Sequence, residues 1–450
     1  MTENKYPIRR IKDVILNMKS GFGAGKQDQS QEEGGIIQIR PTNIGNEGNL
    51  KFKKNVYLPK EFVESKKDIF LEKGDVLFNN TNSQELVGKT SFFNENGSFM
   101  FSNHITRIRV DENKIVPYFL VLLFNSFHRR KIFYSICTNW NNQSGIGAEL
   151  LRSLKIPIPP LEKQQEIVNL FQNAYQQKQQ KEQEAKQLLD SIDDYLMEKL
   201  GIELSQSTQT KPFFYTRFSA VQGKRFDPKK YEPNGQKLIN SLQSKKYSVI
   251  RMKDIITQSV AGDWGIDKDL EGFDKCLVIR ATEFDNLYNL KLTNNRVKYR
   301  FISQVKLSKM DLQIDDLLIE KSGGSKDQPV GRIAIITEDI YKKHNLAYSN
   351  FIHKIRVDSS IINPSYLFVF LKTIHNIKIT DLMQSQTNGI RNLIMQEYLS
   401  MSIPLPPMEV QNEIATHISS LRSRAKALEK EGKQLLKEAK QEVEKMILGE

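Results

Sequence analysis

Two stretches of about forty residues carry the same spacing of apolar and polar positions. From Ile414, steps of four and three land on Ile418, Leu421, Ala425, Leu428, Gly432, Leu435, Ala439, Glu442 and Met446. The same register, 247 residues earlier, lands on Ile167, Phe171, Ala174, Lys178, Lys181, Ala185, Leu188, Ile192, Tyr195 and Lys199. This is a heptad seam, clean in the later stretch and polar in the middle of the earlier one. Residues 162–200 contain neither Pro nor Gly, residues 409–448 contain only Gly432, and Gln, Glu, Lys, Ala and Leu dominate both. Two long helices are predicted. Each would run ~58 Å at 1.5 Å per residue, and a helix that long with one apolar stripe needs a partner. The economical partner is its own copy, paired as an antiparallel coiled coil with pseudo-two-fold symmetry. The alternative is that each helix packs on the globular unit beside it.

The rest of the chain follows a different period. Short β-branched runs such as IIQIR, DVLF, HITRIRV, GRIAII and FIHKIRV read as strands. NIGNEGN and KSGGSKDQ read as turns. Residues 117–133 and 364–376 read as helices opened by a Pro in the first turn. No regular βαβ order emerges, so the fold class is α+β. The elements also occur twice. KYPIRRIKDVI (5–15) echoes KYSVIRMKDII (246–256), and SNHITRIRV (102–110) echoes SNFIHKIRV (349–357). IIQIRPTNI (36–44) echoes CLVIRATEF (276–284), which sets Arg40 against Arg280. The predicted organisation is tandem: a mixed α/β globular unit at 1–160, a first helix at 161–201, and a linker with an N-terminal extension at 202–235. A second globular unit at 236–407 and a second helix at 408–450 follow.

A repeated twelve-residue phrase joins each unit to its helix: IPIPPLEKQQEI (156–167) and IPLPPMEVQNEI (403–414). Proline fixes φ and donates no backbone hydrogen bond. Pro157, Pro159 and Pro160, and again Pro404, Pro406 and Pro407, therefore make a stiff extended lead-in. The residue before each proline is also pushed away from helix. The phrase predicts an elbow that turns the chain out of a globular unit and launches a helix.

Composition narrows the function. An apolar fraction of 39% in 450 residues supports folded cores. The longest apolar run, VPYFLVLLF, falls far short of the ~20 residues a membrane span needs. The N-terminus shows no apolar signal-peptide core. Cys137 and Cys276 are the only cysteines, which suits a reducing cytoplasm. The net charge is +13, and its distribution matters more than its size. Residues 1–160 carry net +7 and residues 211–402 net +10, against −4 for 161–210 and zero for 409–450. The positive excess lies in the globular units, so reading a polyanion falls to them and spacing falls to the helices. Two such readers on one face of a duplex would sit about one helical turn, ~34–36 Å, apart. Their polar loops differ, NNTNSQEL against EKSGGSKDQP, so the two half-sites should differ and the whole site should be asymmetric.

PIPPLEKQQEI and PLPPMEVQNEI, each closing a globular unit and opening a helix, resemble the specificity subunit of type I restriction–modification systems. DVLFNNTNSQELVGKT, DLLIEKSGGSKDQPVGR and KRFDPKKYEP resemble its target-recognition domains, and the likeness spans essentially the whole chain. The resemblance implies two target-recognition domains, each reading half of a bipartite double-stranded DNA site. It implies helices that act as spacer and dock two methyltransferase subunits, with restriction–translocase subunits beside them. S-adenosylmethionine would belong to the methyltransferase, not to this chain. The chain would catalyse nothing and would work in a prokaryotic cytoplasm.

The residues show no catalytic motif of their own. An adenine methyltransferase loop of the Asn/Asp-Pro-Pro-Tyr/Phe kind has no match; DPKK and NPSY are the nearest pieces. SGFGAGKQ mimics a phosphate loop but places Ser20 at the first Gly position and Gln27 at the Ser/Thr position. Six histidines and two cysteines offer no zinc spacing. Base edges favour Arg, Lys, Asn and Gln, and phosphates favour Lys, Arg, Ser, Thr and backbone N–H groups. In the first unit this selects Asn79, Asn80, Thr81, Asn82, Ser83, Gln84 and Lys89, with Asn139, Trp140, Asn141, Asn142 and Gln143 as a second cluster. In the second unit it selects Lys321, Ser322, Gly323, Gly324, Ser325 and Lys326, with Gln386, Thr387, Asn388, Arg391 and Asn392 as the counterpart cluster. Trp264 joins them as a solitary, exposed-looking aromatic. For each loop residue the competing role is turn former. For Arg40 and Arg280 it is a structural ion pair, and for Arg129-Arg130-Lys131 a solvated helix end. The rival reading of the whole chain is a structural coiled-coil scaffold joining two protein-binding modules, which the charge partition opposes.

Overall fold

The computed structural model describes residues 5–30, 34–59, 69–141, 143–204, 213–223, 228–285, 289–293, 296–324, 328–387 and 389–449. The chain forms two compact units, Met1–Glu182 with Glu429–Glu450, and Gln183–Leu428. Asn142, Ser325, Lys326, Asn388 and residues 224–227 of KRFDPKKYEP lie outside the described residues.

The first unit is layered. Strands β1 (Ile15–Ser20), β2 (Val76–Asn79), β3 (Thr90–Phe92) and β4 (Ile105–Val110) form an antiparallel sheet in the order β1-β4-β2-β3. All four residues of β2 are buried. Val76 and Phe78 point into a core shared with helix α1 (Pro117–Arg129), while Leu77 points the other way, toward Ile39, Phe93 and Phe101. Covering both faces explains why this strand is a continuous apolar run rather than an alternating one. The far layer is a three-stranded sheet. Its central strand, Ile36–Ile39, runs antiparallel to Tyr57–Leu58 and parallel to Phe99–Phe101. The unit then opens helix α2 (Leu161–Leu200).

The second unit repeats the design. Strands β5 (Ile256–Ala261), β6 (Leu317–Glu320), β7 (Ile333–Ile335) and β8 (Ile352–Val357) take the order β5-β8-β6-β7, again antiparallel. Leu317 and Ile319 face the core of helix α3 (Pro364–Asn376), and Leu318 faces the second layer. There Phe273–Ile279 runs antiparallel to Lys298–Ser303 and parallel to Leu346–Tyr348. Helix α4 (Met408–Leu448) follows. The fold is thus a tandem pair of α+β units, each followed by a long helix.

The long helices start at Leu161 and Met408, directly after their proline lead-ins. In the first unit the opening turns of α2 (Ile167, Val168, Phe171) share a core with the closing turns of α4 (Leu436, Val443, Met446, Ile447). In the second unit the closing turns of α2 (Ile192, Leu196, Leu200) share a core with the opening turns of α4 (Ile414, Ile418). The helices are therefore antiparallel. Each also packs on the globular unit it opens from, so the two packing expectations coexist. Ala185 lies buried with Ala425 and Leu428, while Leu188 packs half-buried against them. Cross-helix ion pairs include Lys181–Glu431 at 2.8 Å and Lys199–Glu413 at 2.6 Å, and Lys181 belongs to the polar middle of the first seam.

The seam departs from strict heptads at one end. Leu421 is half-buried as part of the run from Ile414, but toward the C-terminus Leu436 and Val443 are buried in place of the expected Leu435 and Glu442. An α-helix drifts about 20° per heptad against a 3.5-residue repeat, and the buried face has walked one position onward. Among the described residues, no helix is long and apolar enough to cross a membrane.

Candidate nucleic-acid interface

In each unit the two polar clusters selected from the sequence meet in one small sheet. In the first unit Thr81–Asn82 pairs antiparallel with Gln143–Gly145, which hairpins back to Thr138–Trp140. After Trp140, Asn141 takes φ +39°, a left-handed conformation that asparagine tolerates. In the second unit Ser322–Gly323 pairs with Ile390–Leu393, which hairpins with Gln384–Thr387. There Gly389 takes φ +79° in the turn, while Gly323 and Gly324 take +126° and +67°, conformations that only glycine adopts freely. The connection is made by backbone. Asn80 O accepts from Ile146 N at 2.9 Å, and Lys321 O accepts from Leu393 N at 2.8 Å.

Burial then divides the candidates. Asn79 is 1% exposed, and its amide donates to Leu86 O at 3.0 Å. Asn80 is also buried and donates to Thr106 Oγ1 at 2.8 Å and to Asn103 O at 3.2 Å. Both shape the loop from within and offer no donor to a ligand. Thr81 donates to Asn80 Oδ1, Asn82 Oδ1 accepts from Ser83 N, and Gln84 donates to Tyr134 O. Lys89 is half-buried on Asn46 Oδ1 at 2.7 Å, and burial, with Lys51 adding to it, lowers its pKa. Ser83, Asn139, Trp140, Asn141 and Gln143 are exposed. Asn139 keeps its donors outward because its Oδ1 accepts from Ser144 Oγ at 2.6 Å.

In the second unit Gln386 and Gly324 are exposed, and Lys321, Ser322 and Gly323 are half-buried. Ser322 Oγ donates to Asn392 Oδ1 at 2.7 Å, which ties the loop to the hairpin by side chains as well. Arg391 lies 3.4 Å from Asp381 with 12% of its side chain exposed, so its guanidinium is largely committed within the unit. The backbone of Thr387 completes the hairpin strand. Lys321 contributes, after burial, to pulling His353 down to about 4, so this imidazole is neutral at neutral pH and adds no charge to the loop.

Two expectations need correction. Trp264 is neither solitary nor exposed: it is half-buried against the apolar core of the second layer, with the Arg300 guanidinium 5.1 Å above its ring. Arg280 makes the expected ion pair, with Glu283 at 2.6 Å, but Arg40 does not. Its counterpart to Glu283 is Asn43, and the guanidinium donates to Gln38 Oε1 at 2.7 Å. Arg129, Arg130 and Lys131 are exposed at the end of α1, and Arg129 pairs there with Glu444 at 2.5 Å.

The elbows are built from more than proline. Lys155–Pro157 pairs with Ile8–Arg10, and Ser402–Pro404 with Val249–Arg251, so each lead-in is a strand locked to the start of its own unit. Pro159 and Pro406 are buried, Pro160 and Pro407 exposed. Sequence reasoning gave no role to Gln164 and Gln411, which lie buried beneath these turns. Their matched place in the repeated phrase was the available signal. Among the described residues no group of three His, Cys, Asp or Glu side chains could hold a metal ion.

Comparison with known proteins bears on what this duplicated arrangement is. Over 167 residues the chain is 30% identical to a protein of Methanocaldococcus jannaschii, provisionally described as the type I restriction enzyme MjaX specificity subunit, covering 37% of this chain and 38% of that one. Over 136 residues it is 29% identical to the type I restriction enzyme StySPI specificity subunit of Salmonella potsdam, covering 29% and 27% respectively. The matched segments thus span less than two fifths of either relative. A chain from a solved type I restriction–modification system structure shares the fold, with a TM-score of 0.53 at 14% identity, over 99% of this chain and 97% of that one. The pattern of the type I restriction modification DNA specificity domain matches twice, over residues 3–190 and 240–438, and the chain belongs to that family.

Proposed function

We propose that this chain is the DNA-reading subunit of a type I restriction–modification complex. It recognises a bipartite, asymmetric site on double-stranded DNA, one half through each target-recognition domain, 1–160 and 236–407. The paired helices set the gap between half-sites and dock two methyltransferase subunits, which bind S-adenosylmethionine, with restriction–translocase subunits completing the assembly in a prokaryotic cytoplasm. The chain itself carries no catalysis.

The observation that supports this reading is the duplicated three-stranded ribbon. In a family of DNA specificity domains, each unit gathers its two polar loops into one exposed hairpin platform, and the loops differ between units. A two-stranded ribbon fits the major groove, where base edges are distinguishable. The net +7 and +10 of the regions bearing these ribbons suit a phosphate backbone.

The test is salt dependence on a duplex carrying the host's methylated motif, found by methylation-sensitive sequencing. Affinity should fall by about a thousandfold between 50 and 200 mM salt. Salt-insensitive binding would favour the protein-binding scaffold instead. Methyl transfer by the isolated chain with S-adenosylmethionine would overturn the non-catalytic role.

A further inference from the structure

The last cross-strand pair of each hairpin carries one large apolar side chain. In the first unit Trp140 pairs with Gln143 and is 46% exposed. In the second Ile390 pairs with Thr387 and is 49% exposed. Directly opposed residues of an antiparallel pair project from the same face. Trp140, on the outer strand of the first ribbon, and Ile390, on the central strand of the second, therefore belong to corresponding cross-strand pairs, at the same level and on the same face.

Packing within the units leaves about half of each side chain uncovered. Neither belongs to an apolar core of its unit, and Ile390 stands among turn and polar residues. The Trp140 ring lies along the ribbon over Gly145, where a Cβ would come within 2.4 Å of it. Nearly half of its surface is left outward. Asn139, Gln143 and Gln386, exposed beside these residues, supply polar donors and acceptors.

In the major groove the thymine C5-methyl is the apolar feature of the base edges. We propose that Trp140 and Ile390 each read the C5-methyl of a thymine, one in each half-site. The inference rests on the ribbons being the DNA-reading surface. An apolar tip gains by covering the methyl. Cytosine carries only a hydrogen at C5, so against it the tip loses that apolar contact. The tip thus separates thymine from cytosine at one position, while its polar neighbours read the adjacent edges.

The experiment measures binding of the full-length chain to duplexes in which each thymine of the site is replaced, one at a time, by deoxyuridine. That change removes the methyl and nothing else. One position in each half-site should lose about fourfold in affinity, the transfer value of a single methyl group. At the first-unit position Trp140→Ala should bind the thymine and uracil duplexes equally, and Ile390→Ala should do so at the second-unit position. Trp140→Phe should keep part of the discrimination. Should alanine unfold the hairpin, Trp140→Gln, which keeps bulk without the apolar surface, carries the same expectation.

A half-site with no thymine on either strand overturns the inference for that unit, as does an unchanged uracil penalty in the variant. Gln143→Ala and Gln386→Ala, run in parallel, separate this inference from the reading beneath it. If they weaken binding while uracil is tolerated everywhere, the ribbons read DNA but not through the methyl. If neither they nor the tip variants change binding, the ribbons are not the interface and both ideas fall.

Discussion

The side-chain carbonyl of Gln164 accepts a 2.8 Å hydrogen bond from the backbone N–H of Val116, the residue that caps α1. The same amide donates to Pro159 O at 2.8 Å and to Lys114 O at 3.2 Å. One buried side chain thus fastens the proline turn, the start of α2 and the start of α1 to one another. Gln411 repeats all three bonds, with Asn363 N at 2.7 Å, Pro406 O at 2.9 Å and Ile361 O at 3.2 Å. Gln164→Ala strands three backbone groups in a buried site at a cost of ~1–3 kcal/mol each if none is rescued by water. A loss of about 3–5 kcal/mol is expected by urea denaturation. Gln164→Glu keeps the acceptor but faces two carbonyls with a carboxylate, so its loss should shrink on acidification. Pro160→Ala and Pro407→Ala, at exposed positions, should stay within ~0.5 kcal/mol of wild type. If the prolines prove costly and the glutamines neutral, the elbow is not held as described.

The polar loops should divide by experiment as they divide by burial. Asn79→Ala and Asn80→Ala remove buried amides bonded to Leu86 O and Thr106 Oγ1, so each should lower stability by roughly 1–3 kcal/mol. Gln143→Ala and Gln386→Ala alter exposed side chains and should melt with the wild type, while Asn139→Ala also strands the buried Ser144 hydroxyl and should cost about 1 kcal/mol. Their effect should appear in DNA binding, about tenfold or more for a base-edge contact. The pattern of methylated sites should relax in one half-site per variant. Thermal melts and binding isotherms on the same five proteins check this, and a reversed pattern would reject the assignment.

The long-period features were legible because they are local. Heptad spacing and paired prolines announce themselves without reference to anything distant, and the Leu435-to-Leu436 drift is the accumulated error of a 3.5-residue count on a 3.6-residue helix. The ribbon was not legible. Thr81 meets Gly145 through backbone hydrogen bonds, which leave no side-chain signature across that separation. Asn79 looked like a base reader because loop asparagines usually face water. Its burial depends on the return of the chain at Leu86. Trp264 looked exposed because Gly and Asp flank it, yet its cover, Arg300, comes from a strand more than thirty residues on. In each case the decisive partner was brought by topology.

Gly432 is the sole breaker in the second long helix, and its neighbour explains how a side chain would fare there. A Cβ at Gly432 would meet the Cα, Cγ and carbonyl oxygen of Lys178, all at 3.4 Å, which is ordinary contact. Glycine inside a helix costs about 1 kcal/mol relative to alanine. With no clash to oppose that gain, Gly432→Ala should stabilise the protein by ~0.5–1 kcal/mol. Gly432→Val should destabilise it, because branching at Cβ drives atoms into the Lys178 backbone. Both signs can be read from thermal melts. A destabilised alanine variant would mean that the helices need closer approach than described.

Acid should weaken the second unit through His375. This imidazole is 7% exposed, and Nε2 lies 3.1 Å from Pro329 O, which fixes the Nε2–H tautomer. Its Nδ1 is buried without a partner. Protonation would place a charged N–H there with no acceptor. Burial, with Lys372 and Arg332 opposing charge and Asp381 favouring it, draws His375 down to about 4. The unfolded chain binds this proton near pH 6.5, so between those values it holds more protons than the folded chain. Stability is therefore complete above about 6.5 and declines as pH falls toward 4, by up to roughly 3 kcal/mol. The depressed carboxylates of this unit, Asp263, Asp311, Asp339, Asp358 and Glu413, lose their contribution only as pH falls through their ordinary values near 4 to 4.5, so the upper part of this window belongs to the histidines. His375→Gln, whose amide can still donate to Pro329 O, should flatten the decline between pH 6.5 and 4.5. His353, half-buried and also depressed, makes a smaller contribution of the same sign and should account for the slope that remains. Melting curves of the wild type, the single variants and the double variant across this range decide the matter. A slope unchanged in the double variant would place the acid sensitivity elsewhere.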